Sequence, residues 1–460
     1  MGANQKVLDV MYTRSLFETE DMARPKIEKK KFTFIDLFSG IGGFRVALQA
    51  LKGESLGFSE IDNYAIETYR LNYSQDPINH GFGDVTKITN LPKVDVLVGG
   101  VPCQSWSVAG KMKGFEDPRG RLWFDTIQMV EQSKPKVFIF ENVKGLADPR
   151  NAKNLELIVE HFKKLKYTVT HQVLNTYDFG LPQNRSRIFI VGFRHDQQHF
   201  AKKFAFLSAE GKSVQLVQFL ENVERKSIVK KKLHKDDLFG GKVPMSRNAS
   251  QKDDELNDFF VLCDTRNGHT SIHSWDIKAT SQKEKKICMA IMRNRRKSKY
   301  GEADGNPLSF ENIKELVPDL TKTDIDGLVA KKILRYTASK MIDIVNSKNS
   351  SGIDGIYRVY LPNSTIFSTL TATGTRDFIA TKYVEGKTVA EYKKNFIEEI
   401  LKKKNYRQVS VREALTIQGF PKNHKITTKE KYAFKQVGNS VSPVVVEKVF
   451  NQILKTGIFK

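Results

Sequence analysis

Short apolar runs and amphipathic stretches alternate along residues 32–194. The apolar runs predict buried strands, and the stretches between them, with apolar residues at helical spacing, predict helices. The predicted strands are Phe32–Phe38, Glu54–Glu60, a short segment ending at Gly83-Asp84, Val94–Val98, Val137–Phe140, Thr168–Leu174 and Arg187–Phe193. The predicted helices are Phe44–Leu51, Asn63–Asn72, Leu122–Gln132 and Leu155–Leu165. This alternation indicates an α/β fold, with a mostly parallel sheet covered on both faces.

The alternation stops after about Phe193, and the following residues, 195–356, are polar and basic. Within them, one helix over Ser309–Leu316 and another over Thr321–Leu334 predict a helix–turn–helix. A helical insert that serves only for packing is an equally open interpretation. Residues 1–31 are expected to form a loose arm. Regular structure is expected to return within residues 357–460, ending in a helix from Pro443 to Leu454.

The charge of the chain adds an expectation about its partner. Its 460 residues carry 75 Lys and Arg against 52 Asp and Glu, a formal charge of +23. Such an excess favours a polyanionic partner, most simply nucleic acid, over the alternative of a generally basic protein without such a partner. Three scattered cysteines do not make a disulfide framework, and there is no secretory signal or membrane-spanning apolar run. We therefore expect a cytoplasmic protein without a membrane partner.

A glycine turn follows the first predicted strand. Gly40, Gly42 and Gly43 separate that strand from the next helix, and such turns let a ligand approach the backbone closely. Glu60 ends the second strand about 20 residues later, the spacing of an acid that accepts ribose hydroxyls. Asp84, at the end of the third segment, could accept from an adenine amino group. The pattern predicts a nucleoside cofactor, and tight strand–helix packing is the alternative.

The turn after Val98 presents a cysteine. Gly99, Gly100 and Pro102 end the strand in a rigid turn whose next residue is Cys103, either a packed thiol or a nucleophile. Glu141 ends the next strand, so a parallel sheet brings both side chains to one crevice. A thiol beside a carboxylic acid suits covalent catalysis with acid assistance. Arg185 and Arg187, at i and i+2, could bind a carbonyl or phosphate there, or form surface salt bridges.

Together these stretches resemble the cytosine-C5 DNA methyltransferases, most closely those of bacterial restriction–modification systems. The matching stretches occur in the order of that family and cover most of residues 33–194 and 357–455. They are Asp36–Phe44, Glu60, Asp84, Gly100–Trp106, Gly110-Lys111, Asp117–Gly120, Glu141–Val143, Gln183–Phe189, Arg412–Pro421 and Gly438–Val441.

The resemblance implies a Rossmann-like methyltransferase domain over residues 32–194, a target-recognition region over 195–356, and a return to the catalytic domain within 357–460. It implies that Cys103 adds to C6 of cytosine, that Glu141 hydrogen-bonds or protonates N3, and that Arg187 holds O2, with Arg185 shaping the pocket. The cofactor would be S-adenosylmethionine. Its expected contacts are Phe38, Ser39, Gly40, Gly42, Glu60, Ile61, Asp84, Val85, Pro102, Asn439 and Ser440.

The resemblance also implies double-stranded DNA as substrate, with the target base flipped out of the helix. The glycine-rich loop from Ser107 to Arg121 is expected to close over that base. The expected DNA contacts are Gln104, Ser107, Lys111, Arg119, Arg266, Asn267, Lys322 and Lys331. Cys263, His269 and His273 match no zinc spacing, so we expect no metal. A monomer acting on the site of a cognate restriction endonuclease is the expected setting.

Three rival functions remain open at this point. A tRNA cytosine methyltransferase would share the fold, although the large basic region argues for duplex DNA. A DNA-binding regulator without catalytic activity would have no need of Cys103, Glu141 and Arg187. A nicotinamide oxidoreductase would share the glycine turn and Glu60 but would give Cys103 and Arg187 no role.

Overall fold

The computed structural model describes residues 31–102, 120–209, 214–225, 272–303, 305–345, 358–362, 364, 366–372, 377–384, 389–426 and 429–460. The strands are β1 Phe32–Leu37, β2 Gly53–Ser59, β3 Val96–Gly100, β4 Val137–Val143, β5 Tyr167–Asn175, β6 Ser186–Arg194, β7 Leu334–Tyr336, β8 Ile342–Ile344, β9 Arg358–Tyr360, β10 Asp377–Ala380 and β11 Tyr406–Gln408. The helices are α1 Gly43–Ala50, α2 Asn63–Asn72, α3 Leu122–Ser133, α4 Ala152–Lys164, α5 Gln198–Ala201, α6 Ser274–Ile277, α7 Gln282–Asn294, α8 Phe310–Leu316, α9 Lys322–Ala330, α10 Val389–Phe396, α11 Val411–Gln418, α12 Glu430–Asn439 and α13 Pro443–Lys455.

The chain forms two compact units. The first comprises Met1–Val214, Ser368–Gly374 and Ser410–Lys460, and the second comprises Gln215–Phe367 and Thr375–Val409. The sequence predicts a division after residue 194, where β6 ends. The first unit extends to Val214, and the Phe204 ring packs 5.5 Å from that of Phe193 in β6.

The first unit is built on a six-stranded sheet in the order β2-β1-β3-β4-β6-β5. The four strands from β2 to β4 pair in parallel, and β6 runs antiparallel to both β4 and β5. The expected α/β class and mostly parallel sheet are therefore confirmed. Because β6 is reversed, its first residues lie at the same sheet edge as the last residues of β3 and β4.

The core of this unit follows the strict alternation of a buried strand. Ile35 and Leu37 of β1 belong to one apolar cluster with Trp123 of α3 and Phe162 of α4. Phe32 points to the opposite face of the sheet, where its ring lies 4.6 Å from that of Phe450 in α13. The final helix of the chain thus packs against the first strand.

The predicted third strand, ending at Gly83-Asp84, is wrong. The backbone there makes only an isolated bridge between Phe58 and Gly81, flanked by 3-10 turns at Ile78–His80 and Val85–Lys87. Gly83 has a φ of +71°, and Asp84 caps the second turn. This left-handed residue ends the extended backbone after one bridge, which is why no strand forms.

The second unit has two apolar clusters of its own. Helices α7, α8 and α9 pack on the β7–β8 hairpin, and helix α10 packs on the sheet of order β11-β10-β9. The predicted helix pair is present as α8 and α9. The second helix ends at Ala330 instead of Leu334, because Lys332 has a φ of +54° and Leu334 begins β7. Among the described residues, no helix is long and apolar enough to cross a membrane.

Candidate active site

The carboxyl edges of β3 and β4 meet at Gly100 and Glu141, which are partners in the parallel register. Beyond this pair the Val101 amide donates to the main-chain oxygen of Glu141 at 3.2 Å. Asn142 is fully buried, and its Nδ2 donates to the Val101 carbonyl at 3.2 Å. Strand β4 therefore fixes the chain on both sides of Val101 as it enters the turn at Pro102. Cys103, the next residue, lies outside the described residues.

Glu141 forms an ion pair with the arginine at the start of β6. Arg187 faces Val143 in the antiparallel register, so its side chain lies on the same sheet face as that of Glu141. Its Nε is 2.9 Å from Glu141 Oε1. Burial raises the pKa of Glu141 above its ordinary value, although the positive charges of Arg187 and Arg185 lower it in part. The pair thus offers a carboxyl that holds its proton more readily than an exposed one.

Arg185 binds main-chain oxygens of two distant segments of the chain. Its guanidinium is buried, and it donates to the main-chain oxygens of Leu370 at 3.1 Å, Gly438 at 3.1 Å and Ser440 at 2.8 Å. Gly438 and Ser440 flank Asn439 in the sequence. Arg185 precedes β6, which begins at Ser186, so the strand pairing that places Arg187 beside Glu141 does not extend to Arg185. The geometry favours a positioning residue over direct contact with substrate.

Two glutamines reinforce the same segment. Gln183 Nε2 donates to Gln418 Oε1 at 3.0 Å, and Gln418 Nε2 donates to the Ser440 carbonyl at 2.8 Å. All three residues are buried. Ser440 O thus accepts from both Arg185 and Gln418, which fixes the chain immediately after Asn439.

The glycine turn after β1 holds the carboxylate of Glu60. Oε2 accepts from the Gly40 amide at 2.8 Å, and Oε1 accepts from the amides of Ile61 and Asp62 at 2.8 and 2.9 Å. Gly40 has a φ of +53°, and a Cβ there would meet nothing within 4 Å. Phe38 also has a positive φ, 52°, which is strained for an aromatic residue. Strain of this kind is typical of functional sites.

A cavity of about 360 Å³ lies along this edge of the sheet. This volume is in the range of small-molecule sites. Glu141, Arg185 and Arg187 line it together with eight of the eleven residues expected to bind the cofactor. These eight are Phe38, Gly40, Glu60, Ile61, Asp84, Val85, Pro102 and Asn439. The other three, Ser39, Gly42 and Ser440, are not among the lining residues.

These three have other surroundings. The Ser39 amide donates to the Ser59 carbonyl at 3.0 Å, and Ser440 is held through its carbonyl as described above. A Cβ on Gly42 would lie 3.1 Å from the Tyr73 ring. Asp84 does line the cavity, and its Oδ1 accepts from the amide and hydroxyl of Thr86 at 3.0 and 2.9 Å. Its carboxylate is therefore held in one orientation.

Most of the expected DNA contacts lie outside the described residues: Gln104, Ser107, Lys111, Arg119, Arg266 and Asn267. Lys322 and Lys331 belong to the second unit, at the two ends of α9. The Lys331 ammonium binds the Glu284 carboxylate at 2.6 and 2.8 Å, so a phosphate would have to displace an ion pair. Among the described residues, no group of three or more His, Cys, Asp or Glu could hold a metal ion.

The lining residues that were not expected from the sequence include Asp62, Lys435 and Gln436. Asp62 caps α2 and binds Lys435 Nζ at 2.8 Å. Lys435 and Gln436 lie on α12, a helix we did not predict. The apolar residues Ala433 and Val437, four positions apart and both buried, are the signal that could have revealed it.

Comparisons with known proteins agree with this geometry. The model of the C-5 cytosine-specific DNA methylase family matches residues 32–455. The chain is 47% identical over 421 residues to the Type II methyltransferase M.HgiBI of Herpetosiphon aurantiacus, covering 91% of this chain and 95% of that relative. It is 31% identical over 447 residues to the Type II methyltransferase M.BanI of Aneurinibacillus aneurinilyticus, covering 93% and 97%.

A solved structure supports the fold. The methyltransferase EhMeth of Entamoeba histolytica superposes with a TM-score of 0.50 at 13% identity, covering 93% of this chain and 99% of that chain. The family model and the two relatives confirm the family that the motifs predicted, and with it the expectation of an enzyme. This chain belongs to the C-5 cytosine-specific DNA methylase family.

Proposed function

We propose that this enzyme transfers a methyl group from S-adenosylmethionine to C5 of a cytosine flipped out of a short, specific site in duplex DNA. One observation carries the proposal. A single cavity is lined at one side by the Glu141–Arg187 pair and at the other by Glu60 and Asp84. The first pair suits a pyrimidine ring, and the two carboxylates suit the hydroxyl and amino groups of a nucleoside.

The residues present fit the cofactor. The open space above Gly40 admits a ligand against the backbone, and the amides of Gly40, Ile61 and Asp62 hold Glu60 ready to accept from ribose hydroxyls. Asp84 would accept from the adenine amino group. When bound, S-adenosylmethionine supplies an electrophilic methyl group on its sulfonium. Ser39, Gly42 and Ser440 would support this site from behind its lining.

The chain's own groups then activate the base. The Cys103 thiolate adds to C6, which breaks the conjugation of the ring and makes C5 nucleophilic. Glu141 donates a hydrogen bond or a proton to N3 as charge develops there, which its raised pKa favours. Arg187 donates to O2 and holds the ring. After C5 has taken the methyl group, it loses its proton, the C6–sulfur bond breaks and Cys103 is released.

The basic charge of the chain fits the substrate. Flipping a base costs a few kcal/mol, which phosphate contacts offset. Lys111, Arg119 and the rest of the loop from Ser107 to Arg121 would contribute near the base, and Arg266 and Asn267 would contribute to reading the site. The relatives named Type II methyltransferases support a role as the modification half of a restriction–modification system. We further propose that the enzyme acts as a cytoplasmic monomer on the site of a cognate endonuclease.

The test is covalent trapping. Duplex DNA bearing 5-fluorocytosine in the target site should form a stable adduct with the wild-type protein at Cys103, because fluorine cannot leave as a proton. Cys103→Ser should abolish the adduct and methyl transfer but retain DNA binding. Cys288→Ala is the matched control, since Cys288 is buried in the second unit and burial raises the pKa of its thiol to about 12.

Two results would contradict the proposal. One is methyl transfer by the Cys103→Ser variant at the wild-type rate. The other is transfer to tRNA in preference to duplex DNA, measured with tritiated S-adenosylmethionine on both substrates. Bisulfite sequencing of DNA from cells that express the protein identifies the methylated site.

A further inference from the structure

Gln436 lies on α12, one turn before Asn439, and its side chain is held at one end. Its Oε1 accepts a hydrogen bond from the Thr68 hydroxyl at 2.9 Å, and Thr68 is fully buried on α2. One turn further along α2, Asn72 binds the main chain of Lys425 through two hydrogen bonds, at 2.8 and 2.9 Å. Residues on one face of α2 therefore fix both the chain leading to α12 and the orientation of the Gln436 amide.

The nitrogen of this amide, Gln436 Nε2, differs from the oxygen in its surroundings. Gln436 is only 6% exposed, and its Nε2 has no hydrogen-bond partner among the described residues. The residue also lines the cavity, beside Lys435 and Asn439. Because the Thr68 hydroxyl binds the carbonyl oxygen, the amide nitrogen is left for a different partner. A buried donor without an acceptor is destabilising, so an acceptor supplied by a bound molecule would stabilise it.

We infer that Gln436 is a further cofactor-binding residue, whose Nε2 donates to an acceptor oxygen of S-adenosylmethionine. The acceptor is a ribose hydroxyl or the carboxylate of the amino-acid moiety. Thr68 acts as a positioning residue, since its hydroxyl donates to Gln436 Oε1. This inference rests on the proposed function, because it assigns one more contact in the same cofactor cavity.

Equilibrium binding of S-adenosylmethionine to the full-length protein, measured by calorimetry without DNA, tests the inference. Gln436→Glu keeps an oxygen for the Thr68 hydroxyl but removes the donor, so its Kd should rise about tenfold. Gln436→Met removes both groups without adding charge and should weaken binding by a similar factor. Thr68→Val keeps the Gln436 donor and should change the Kd less than either. Thr68→Ser, which restores the hydroxyl, should bind as the wild type does.

A second ligand separates the two acceptors. 5′-Methylthioadenosine keeps the ribose but lacks the carboxylate. A carboxylate contact predicts that Gln436→Glu weakens only S-adenosylmethionine, whereas a ribose contact predicts that it weakens both ligands. The inference is overturned if folded Gln436→Glu and Gln436→Met bind both ligands with wild-type Kd. If the wild-type protein itself binds no S-adenosylmethionine, the proposed function fails first.

Discussion

Replacing Arg185 by lysine separates a positioning role from a catalytic one. In the native protein the guanidinium donates to three main-chain oxygens, those of Leu370, Gly438 and Ser440. Lysine keeps the positive charge but not the planar fork, so its ammonium can replace about one of these hydrogen bonds. The other carbonyls are left buried without this donor.

The size of the effect follows from these contacts. A hydrogen bond that involves a charged group contributes about 1.5–3 kcal/mol, so the loss of two lowers the free energy of unfolding by about 3–6 kcal/mol. A whole domain is stable by only about 5–15 kcal/mol. For a unit of this size the expected fall in Tm is about 6–24 °C. The Kd for S-adenosylmethionine should rise as well, because two of the three carbonyls, those of Gly438 and Ser440, flank Asn439 at the cavity.

Thermal unfolding by circular dichroism and cofactor binding by calorimetry measure both effects. Arg187→Lys is the matched control, because lysine can keep the contact with Glu141. Its Tm should stay within about 4 °C of the wild type, consistent with a loss of about 1 kcal/mol, while adduct formation with 5-fluorocytosine DNA falls. An Arg185→Lys protein with wild-type Tm and cofactor affinity, but without adduct formation, would show that Arg185 acts on the substrate directly.

Two further predictions concern pH. Glu141→Gln should slow methyl transfer about 10²–10⁴-fold. It should also remove the fall in rate that the wild type shows as pH rises through the raised pKa of Glu141. An unchanged pH–rate profile would exclude Glu141 as the proton donor. Burial lowers the pKa of His424 to about 4, so the unfolded chain binds a proton first as pH falls below about 6.5. The free energy of unfolding should therefore drop by about 3 kcal/mol between pH 7 and pH 4. Urea titrations of His424→Asn should show a drop that is smaller by this amount. An equal drop in both proteins would contradict the assignment to His424.

The sequence predicts the fold and the site most accurately where several local signals agree. The helix expected over Asn63–Asn72 has those bounds in the structure, because Asp62 caps it by accepting from the amides of Tyr64 and Ala65. The spacing from the glycine turn to Glu60 predicts a carboxylate at the cofactor edge, and Glu60 lines the cavity. The sequence predicts that the segment ending at Asp84 is a strand, but its backbone makes only a single isolated bridge.

The sequence could not reveal the contacts between residues that lie far apart along the chain. Arg185 lies 253 residues from one of its acceptors and 255 from another, and Thr68 lies 368 residues from Gln436. No periodicity encodes such distances. From the sequence alone, an arginine two positions from Arg187 is interpreted as a second substrate contact. Its hydrogen bonds to the carbonyls on either side of Asn439 indicate a positioning role instead. A motif therefore predicts which residues gather at a site, whereas the contacts between distant segments decide which of them meet the ligand and which hold the others in position.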